Sequence, residues 1–248
     1  MTSSVPSTTP TTVLTPAKLT RTLRVTGVRE DGLHLIDAEM VSLDLFDELT
    51  ITPGSSGISF IDERNGGVPI DIDPHDNLVT RAAALAGVEL GAVVRKRIPA
   101  QAGLGGGSAD AAAVLRWAGF TDIEQAASIG ADVAFCLVGG RARVRGIGEL
   151  VEPLEHLDLA FTVVTPSLAC PTVAIYNKWD ELGGPIGDHG NDLEPAALAV
   201  VPELAQAREL LGNATGETPR LAGSGSSWFV EGAFPDAGTV LRTVPAAD

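Results

Sequence analysis

The stretch Ile98-Pro99-Ala100-Gln101-Ala102-Gly103-Leu104-Gly105-Gly106-Gly107-Ser108-Ala109-Asp110-Ala111-Ala112-Ala113 reads as a strand end, a glycine loop and a helix start. Val93 and Val94 belong to a short β-branched run that closes at Ile98-Pro99, because proline cannot continue a ladder. Four of the five residues from Gly103 to Gly107 are glycine, so the loop is almost bare of Cβ atoms. Its backbone can take positive φ and approach a ligand closely. Ser108 is a good N-cap, and the alanines after it favour helix. The free N–H groups and partial positive charge of a helix start suit a phosphate. The plain alternative is a flexible turn between two elements. A P-loop would need Gly-Lys-Ser/Thr, and no lysine precedes Ser108. The dinucleotide fingerprint would need glycine where Ser108 stands. The loop is therefore expected to hold phosphate by backbone, with cationic help from elsewhere.

Working outward, Asn77 to Gly87 reads as an amphipathic helix closed by glycine. After the loop, Thr121-Asp122-Ile123-Glu124 fits a capping box opening a helix that ends at Gly130. Asp132 is placed to cap a short helix through Leu137, stopped by Gly139-Gly140. Arg141 to Arg145 alternates like a strand with basic residues on one face. On the N-terminal side, residues 13–28 and 33–45 read as strands joined through the Asp31-Gly32 turn. Glu48 to Thr52 reads as a further strand, with Ile58 to Ile61 as its expected partner. Toward the C-terminus, Leu159 to Thr165 reads as a strand and Val173 to Asp180 as a helix. Ala196 to Leu211 is helical with a break at Pro202, and Arg220 to Val230 holds a second glycine–serine turn before a strand. Mixed strands and helices without strict alternation argue for an α+β fold.

The chain has 248 residues, 44% of them hydrophobic, which is enough for one large or two small packed units. A formal charge of −15 repels nucleic acid and anionic membranes, so neither is an expected partner. It also repels phosphorylated molecules at long range, so an anion site has to be built locally from arginines, amides and metal. Cys136 and Cys170 are far apart with no metal-ligand spacing, which suits a reducing, cytoplasmic setting. No apolar run is long enough to span a bilayer. Residues 1–12 are rich in Ser, Thr and Pro and are expected to be a disordered extension, not a signal peptide. Nothing in the sequence speaks to an oligomeric state.

Pro99-x-x-x-Gly-Leu-Gly-Gly-Gly-Ser-x-Asp-Ala-Ala resembles the phosphate loop of the GHMP kinases, the galacto-, homoserine, mevalonate and phosphomevalonate kinases. Four more stretches match in order: Pro16-Ala17-Lys18-Leu19, Asp31-Gly32-Leu33-His34, Gly130-Ala131-Asp132-Val133-Ala134-Phe135-Cys136, and Ala222-Gly223-Ser224-Gly225-Ser226. The resemblance covers residues 16–229. It implies a two-lobed α+β fold, with the nucleotide on the N-terminal lobe and the acceptor in the cleft between lobes. The expected boundaries are 13–152 and 158–235, followed by a tail over 236–248. The resemblance is strongest to members that phosphorylate a tertiary alcohol of a cytidine diphosphate compound in non-mevalonate isoprenoid biosynthesis, with ATP and Mg²⁺.

On that resemblance, Lys18 and Asp132 occupy the catalytic positions, Asp132 as base and Lys18 as its charge partner. Without it, Asp132 is a helix cap and Lys18 a lysine on a strand. Pro99, Gly103, Leu104, Gly105, Gly106, Gly107 and Ser108 are the expected ATP-binding residues. Thr20, Leu33, His34, Tyr176, Gly223 and Ser224 are the expected acceptor contacts. No protein cage for a metal is visible, and Ser108 is the expected Mg²⁺ contact, since that ion keeps waters and phosphate oxygens as ligands. The acceptor end departs from the family pattern. Leu33 replaces a tyrosine that stacks on cytosine, Leu35 replaces a glutamate, and Thr20 stands in place of asparagine. A kinase for another small alcohol, or a catalytically silent binding protein of the same fold, are the competing readings.

Overall fold

The two longest elements come first. In the computed structural model, which describes residues 9–73 and 77–246, strand β1 (Thr11–Val28) pairs antiparallel with β2 (His34–Pro53) along its whole length. The Asp31-Gly32 turn joins them. β2 has one remaining edge, and two strands share it: β6 (Arg141–Gly146) lies against residues 36–41 and β5 (Leu90–Lys96) against residues 48–53. β3 (Ile58–Asp62), β4 (Val68–Ile70) and β7 (Leu150–Leu154) complete a seven-stranded sheet. Glu48 to Thr52 is thus the far half of β2 and not a separate strand. β3 does not pair with it; β3 runs parallel to β5, which lies between them. β5 holds the interior position between β2 and β3, with Leu90, Ala92 and Val94 buried on one of its faces.

The register of β1 against β2 jumps between Pro16 opposite Phe46 and Ala17 opposite Leu43. Such a bulge re-aims the side chains beyond it. After it, Ala17 and Leu19 enter a buried cluster while Lys18 and Thr20, on the other face, line a cleft.

Helices α1 (Leu78–Leu85), α2 (Gly106–Trp117), α3 (Ile123–Ile129) and α4 (Ala131–Val138) cover the first sheet. Asn77 caps α1 by accepting from the N–H groups of Val79 and Thr80. Three expected caps are different. α2 starts at Gly106 with left-handed Gly105 as its N-cap, so Ser108 is the third helical residue and caps nothing. α3 is capped by Asp122, which accepts from Gln125 N–H, and not by Thr121. α4 has Gly130 at its N-cap position, and Asp132 makes no capping bond.

The chain changes sheets between Leu154 and Ala160. β8 (Ala160–Val164), β9 (Arg220–Leu221), β10 (Trp228–Glu231) and β11 (Thr239–Arg242) form a four-stranded sheet in the order β11-β8-β10-β9. Helices α5 (Thr172–Glu181), α6 (Glu194–Val200) and α7 (Leu204–Thr215) complete this half, with the expected break falling between α6 and α7. The expected tail over 236–248 is corrected: β11 pairs with β8 and buries Leu241. Alternation of Val240 and Leu241 within four residues is too short a signal to read in isolation. Of the expected N-terminal extension, residues 1–8 lie outside the described part, and Thr11 and Thr12 already belong to β1.

The two sheets meet through one apolar cluster. Ala17, Leu19, Val41 and Leu43 from the first hairpin pack with Phe161, Val163, Phe229 and Leu241 of the second sheet, and Ile98, Ala102 and Leu104 of the glycine-loop segment join them. Each large side chain buried there contributes about 1.5–3 kcal/mol. The loop is thereby clamped between the two halves.

Candidate active site

A cleft of about 780 Å³ opens along this junction. Several helix N-termini line it, among them Asn77 to Val79 at α1, Gly105 to Ser108 at α2, Ala131 and Asp132 at α4, and Pro171 and Thr172 at α5. Their partial positive charges converge inside an acidic molecule, which is the local anion field that the net charge demands. The expected arginines are not part of it. Among the described residues, the cationic side chains lining the cleft are Lys18 and Lys96, with no arginine.

Lys18 and Asp132 meet in the middle of the cleft, Nζ to Oδ2 at 3.1 Å. Lys18 also donates to Thr20 Oγ1 at 3.1 Å. The lysine side chain is 5% exposed and the aspartate 32%, so the pair is accessible from the aspartate side only. The residues are 114 positions apart in sequence and belong to β1 and α4. The loop glycines explain the approach. A Cβ on Gly105 would stand 2.6 Å from Lys18 Cγ, and a Cβ on Gly103 would stand 2.2 Å from the carbonyl oxygen of Ala222. Both have positive φ. The first glycine turn therefore packs directly on the lysine stem and on the second glycine turn.

Of the expected ATP-binding residues, Pro99, Gly103, Gly105, Gly106, Gly107 and Ser108 line the cleft. Leu104 does not. Its side chain is buried in the cluster between the sheets, and its carbonyl accepts from Lys18 N–H at 2.9 Å. Leu104 pins the loop to β1 with its apolar end inward, which is what a leucine among glycines does when the loop is clamped. Among the described residues no group of three or more His, Cys, Asp or Glu is arranged to hold a metal.

All six expected acceptor residues line the same cleft. His34 Nε2 is 2.9 Å from Asp180 Oδ1, and its ring lies 4.6 Å from that of Tyr176 and 5.7 Å from that of Trp179. Burial, and then the charge of Asp132, push the Tyr176 hydroxyl pKa well above its ordinary value. Leu33 is 46% exposed at the rim. Ser224 Oγ is 3.0 Å from Thr172 Oγ1 at the start of α5, and Gly223 comes close enough that a Cβ on it would be 3.5 Å from Lys18 Nζ.

These distances set the comparison with known proteins. Residues 77–140 match the family model described as the GHMP kinases N terminal domain. The 4-diphosphocytidyl-2-C-methyl-D-erythritol kinase of Paracoccus denitrificans is 37% identical over 86% of this chain and 84% of its own length. That of Ruegeria pomeroyi is 35% identical over 94% of this chain and 91% of its own. The chain belongs to this family of GHMP kinases. A crystal structure of 4-(cytidine 5'-diphospho)-2C-methyl-D-erythritol kinase superposes with a TM-score of 0.74 at 30% identity, covering 96% of this chain and all of that one. A homoserine kinase from Cytophaga hutchinsonii shares the fold at 19% identity with a TM-score of 0.63.

Beneath the glycine loop of this family member lies a group that motif reading passes over. Lys96 Nζ bonds Asp47 and, at 2.6 Å, Asp110 Oδ2; Thr15 Oγ1 donates to Asp110 Oδ1 at 2.8 Å. Asp47 also accepts from the N–H groups of Arg97 and Ile98, where the loop begins. Burial presses the Lys96 ammonium downward, but the two carboxylates outweigh it and hold its pKa above the ordinary value. Burial pushes Asp110 up to about 6, with Asp47 adding to the rise and Lys96 opposing it. Asp110 stands inside the quoted loop motif and reads there as a helix residue. Its only sequence signal is an acid in an otherwise apolar alanine run, and nothing in the sequence pairs it with Asp47.

Proposed function

We propose that this chain transfers the γ-phosphoryl group of ATP to the 2-hydroxyl of 4-diphosphocytidyl-2-C-methyl-D-erythritol. The observation that carries this reading is the Lys18–Asp132 contact at the meeting point of the α2 and α4 N-termini. Phosphoryl transfer is largely positioning and charge stabilisation. In this proposal the backbone N–H groups of residues 103–108 hold the nucleotide phosphates. Asp132 accepts the hydroxyl proton as the oxygen attacks, and Lys18 holds the carboxylate ionised while offsetting charge on the reacting oxygens. Thr20 orients the Lys18 ammonium. The donor set fits Mg²⁺ only as an ion carried by phosphate and water, with Ser108 as its protein contact. Bound there, the ion supplies charge neutralisation. Gly223, Ser224 and the α5 N-terminus face the acceptor's diphosphate, and Tyr176, His34 and Leu33 its base. The free, buried thiols of Cys136 and Cys170 suit a cytoplasmic enzyme.

A second reading has one observation in its favour. His34 is already bonded to Asp180 with its ring tilted 38° against that of Tyr176, and the rim carries Leu33 and not an aromatic residue. That end suits a smaller alcohol. ADP release measured with the cytidine compound and a panel of small alcohols separates the two. Turnover with the cytidine compound well above all others is expected; turnover only with another alcohol overturns the first reading and leaves a kinase.

A further inference from the structure

Among the described residues the second glycine turn makes no hydrogen bond to Lys18, yet a Cβ on Gly223 would stand 3.5 Å from Lys18 Nζ. Ser224 is tied to Thr172, Ser226 to Pro166 and Ser227 to Ala102, and the remaining tie, on the side of β1, comes from a buried segment elsewhere in the chain. Asn191 Nδ2 donates to the carbonyl of Leu221 at 2.9 Å and to that of Gly223 at 2.7 Å. Its Oδ1 accepts from Leu193 N–H at 2.9 Å, which settles the orientation of the amide. On its other side the segment is tied to β1, the strand that carries Lys18 and Thr20. Leu23 N–H donates to Gly190, Asp192 N–H donates to Leu23, and the Asp192 carboxylate accepts from Val25 N–H at 2.9 Å and from Arg24. Asn191 and Asp192 are both buried.

We propose that Asn191 is a positioning residue for phosphoryl transfer, holding the Gly223–Ser224 turn in fixed register with Lys18 on β1. The inference rests on reading the Lys18–Asp132 pair as the reaction centre. The physical case is that a buried amide with every bond satisfied has one arrangement, and all three of its bonds are spent on backbone. β1 carries the catalytic lysine. Asp192 fixes the segment to β1, and Asn191 fixes the turn to the segment. A carbonyl oxygen freed at Gly223 removes the turn's tie toward β1 and leaves its ties to the first glycine-loop segment, through Ser227 N–H to the Ala102 carbonyl at 3.2 Å, and to α5, through Ser224 and Thr172, so the turn shifts relative to Lys18. A misplacement of that kind costs turnover more than binding of the nucleotide.

The test is Asn191→Asp, which keeps the shape and removes both donors. Four quantities are read: kcat and acceptor KM with the cytidine compound, ATP Kd by calorimetry, melting temperature, and amide hydrogen exchange across 222–226. The expected result is a kcat lower by about 10- to 100-fold, with ATP Kd within about twofold of wild type. Exchange should be faster in 222–226 and unchanged in 103–108. A folded variant with kcat within about twofold of wild type overturns the proposal. So does a loss of kcat and ATP binding together in step with unfolding, which marks Asn191 as structural only. If Asn191→Asp does not fold, Asn191→Ser is judged by the same outcomes. If wild type transfers no phosphoryl group to any alcohol, the functional reading fails. Exchange in 222–226 then still decides whether Asn191 holds the turn.

Discussion

The two ends of the cleft are built differently. The proposed nucleotide end is one contiguous stretch, residues 98–108, that would work largely through backbone. The proposed acceptor end is assembled from β1, the β1–β2 turn, α5 and the second glycine turn, and would work through side chains. A backbone site tolerates little change, because the chain itself is the binding surface. A side-chain site can exchange residues one at a time, and Leu33 and Thr20 line that end of the cleft. Lys18 and Asp132 sit where the ends meet. Accordingly, substitutions at the centre should cost most, those at the nucleotide end less, and those at the acceptor end least.

Asp132→Asn tests the centre. Turnover should fall about 10²–10⁴-fold with ATP Kd unchanged, as for removal of a general base. Stopped turnover assays with calorimetric ATP binding check it, and near-normal turnover would break the division into centre and ends. Asp132 makes no capping bond in α4, so loss of a cap would not account for the drop.

Gly107→Val tests the nucleotide end. A Cβ at Gly107 meets only Leu78 Cδ1, at 3.8 Å, whereas one at Gly106 would crowd Ile98 at 3.0 Å and Asp47 at 3.1 Å. Gly107→Val should therefore fold and weaken ATP binding by about tenfold or more, roughly the loss of one or two hydrogen bonds to a charged group. Gly106→Val should lower the melting temperature as well. Equal ATP affinity in folded Gly107→Val would remove α2 from the phosphate site.

Leu33→Tyr tests the acceptor end. Leu33 is at the exposed rim, so a ring has room. An added aromatic contact is worth about 0.5–1.5 kcal/mol, and acceptor KM should fall about two- to tenfold with kcat and ATP KM unchanged. Asp180→Ala, which frees His34, should raise the same KM by a few-fold at most, about the worth of one partly exposed hydrogen bond. If neither moves acceptor KM, the base does not rest at this end.

The smallest effect expected is on stability against pH. The Asp110 pKa in the fold, about 6, is above that of an unfolded aspartate. At this group the folded state then holds more of its proton between about pH 4 and 6, and the stability that Asp110 contributes falls as pH rises through that window. Asp110→Asn should flatten that slope in urea unfolding curves taken across the window. An unchanged slope would show that Asp110 does not titrate there.

Lys18 and Asp132 stand out as a pair only through the family resemblance, whereas the sequence alone determined the strand–loop–helix around Gly103 to Ser108, the α+β class and most helices. Those are local patterns: glycine density, helical periodicity and short motifs are written within a few residues of where they act. Tertiary structure decided the rest. It made Glu48 to Thr52 part of β2, placed β5 between β2 and β3, and turned an expected tail into β11. It moved the caps to Gly105, Asp122 and Gly130, because a cap is chosen by where the backbone first finds helical geometry and room. Leu104 went into the core, and Asp47, Lys96 and Asp110 came together under the loop. Asn191 was brought to Gly223, 32 residues away. Each of these depends on which buried partner is available across the fold, and pairing between distant residues leaves no periodic trace in a single chain.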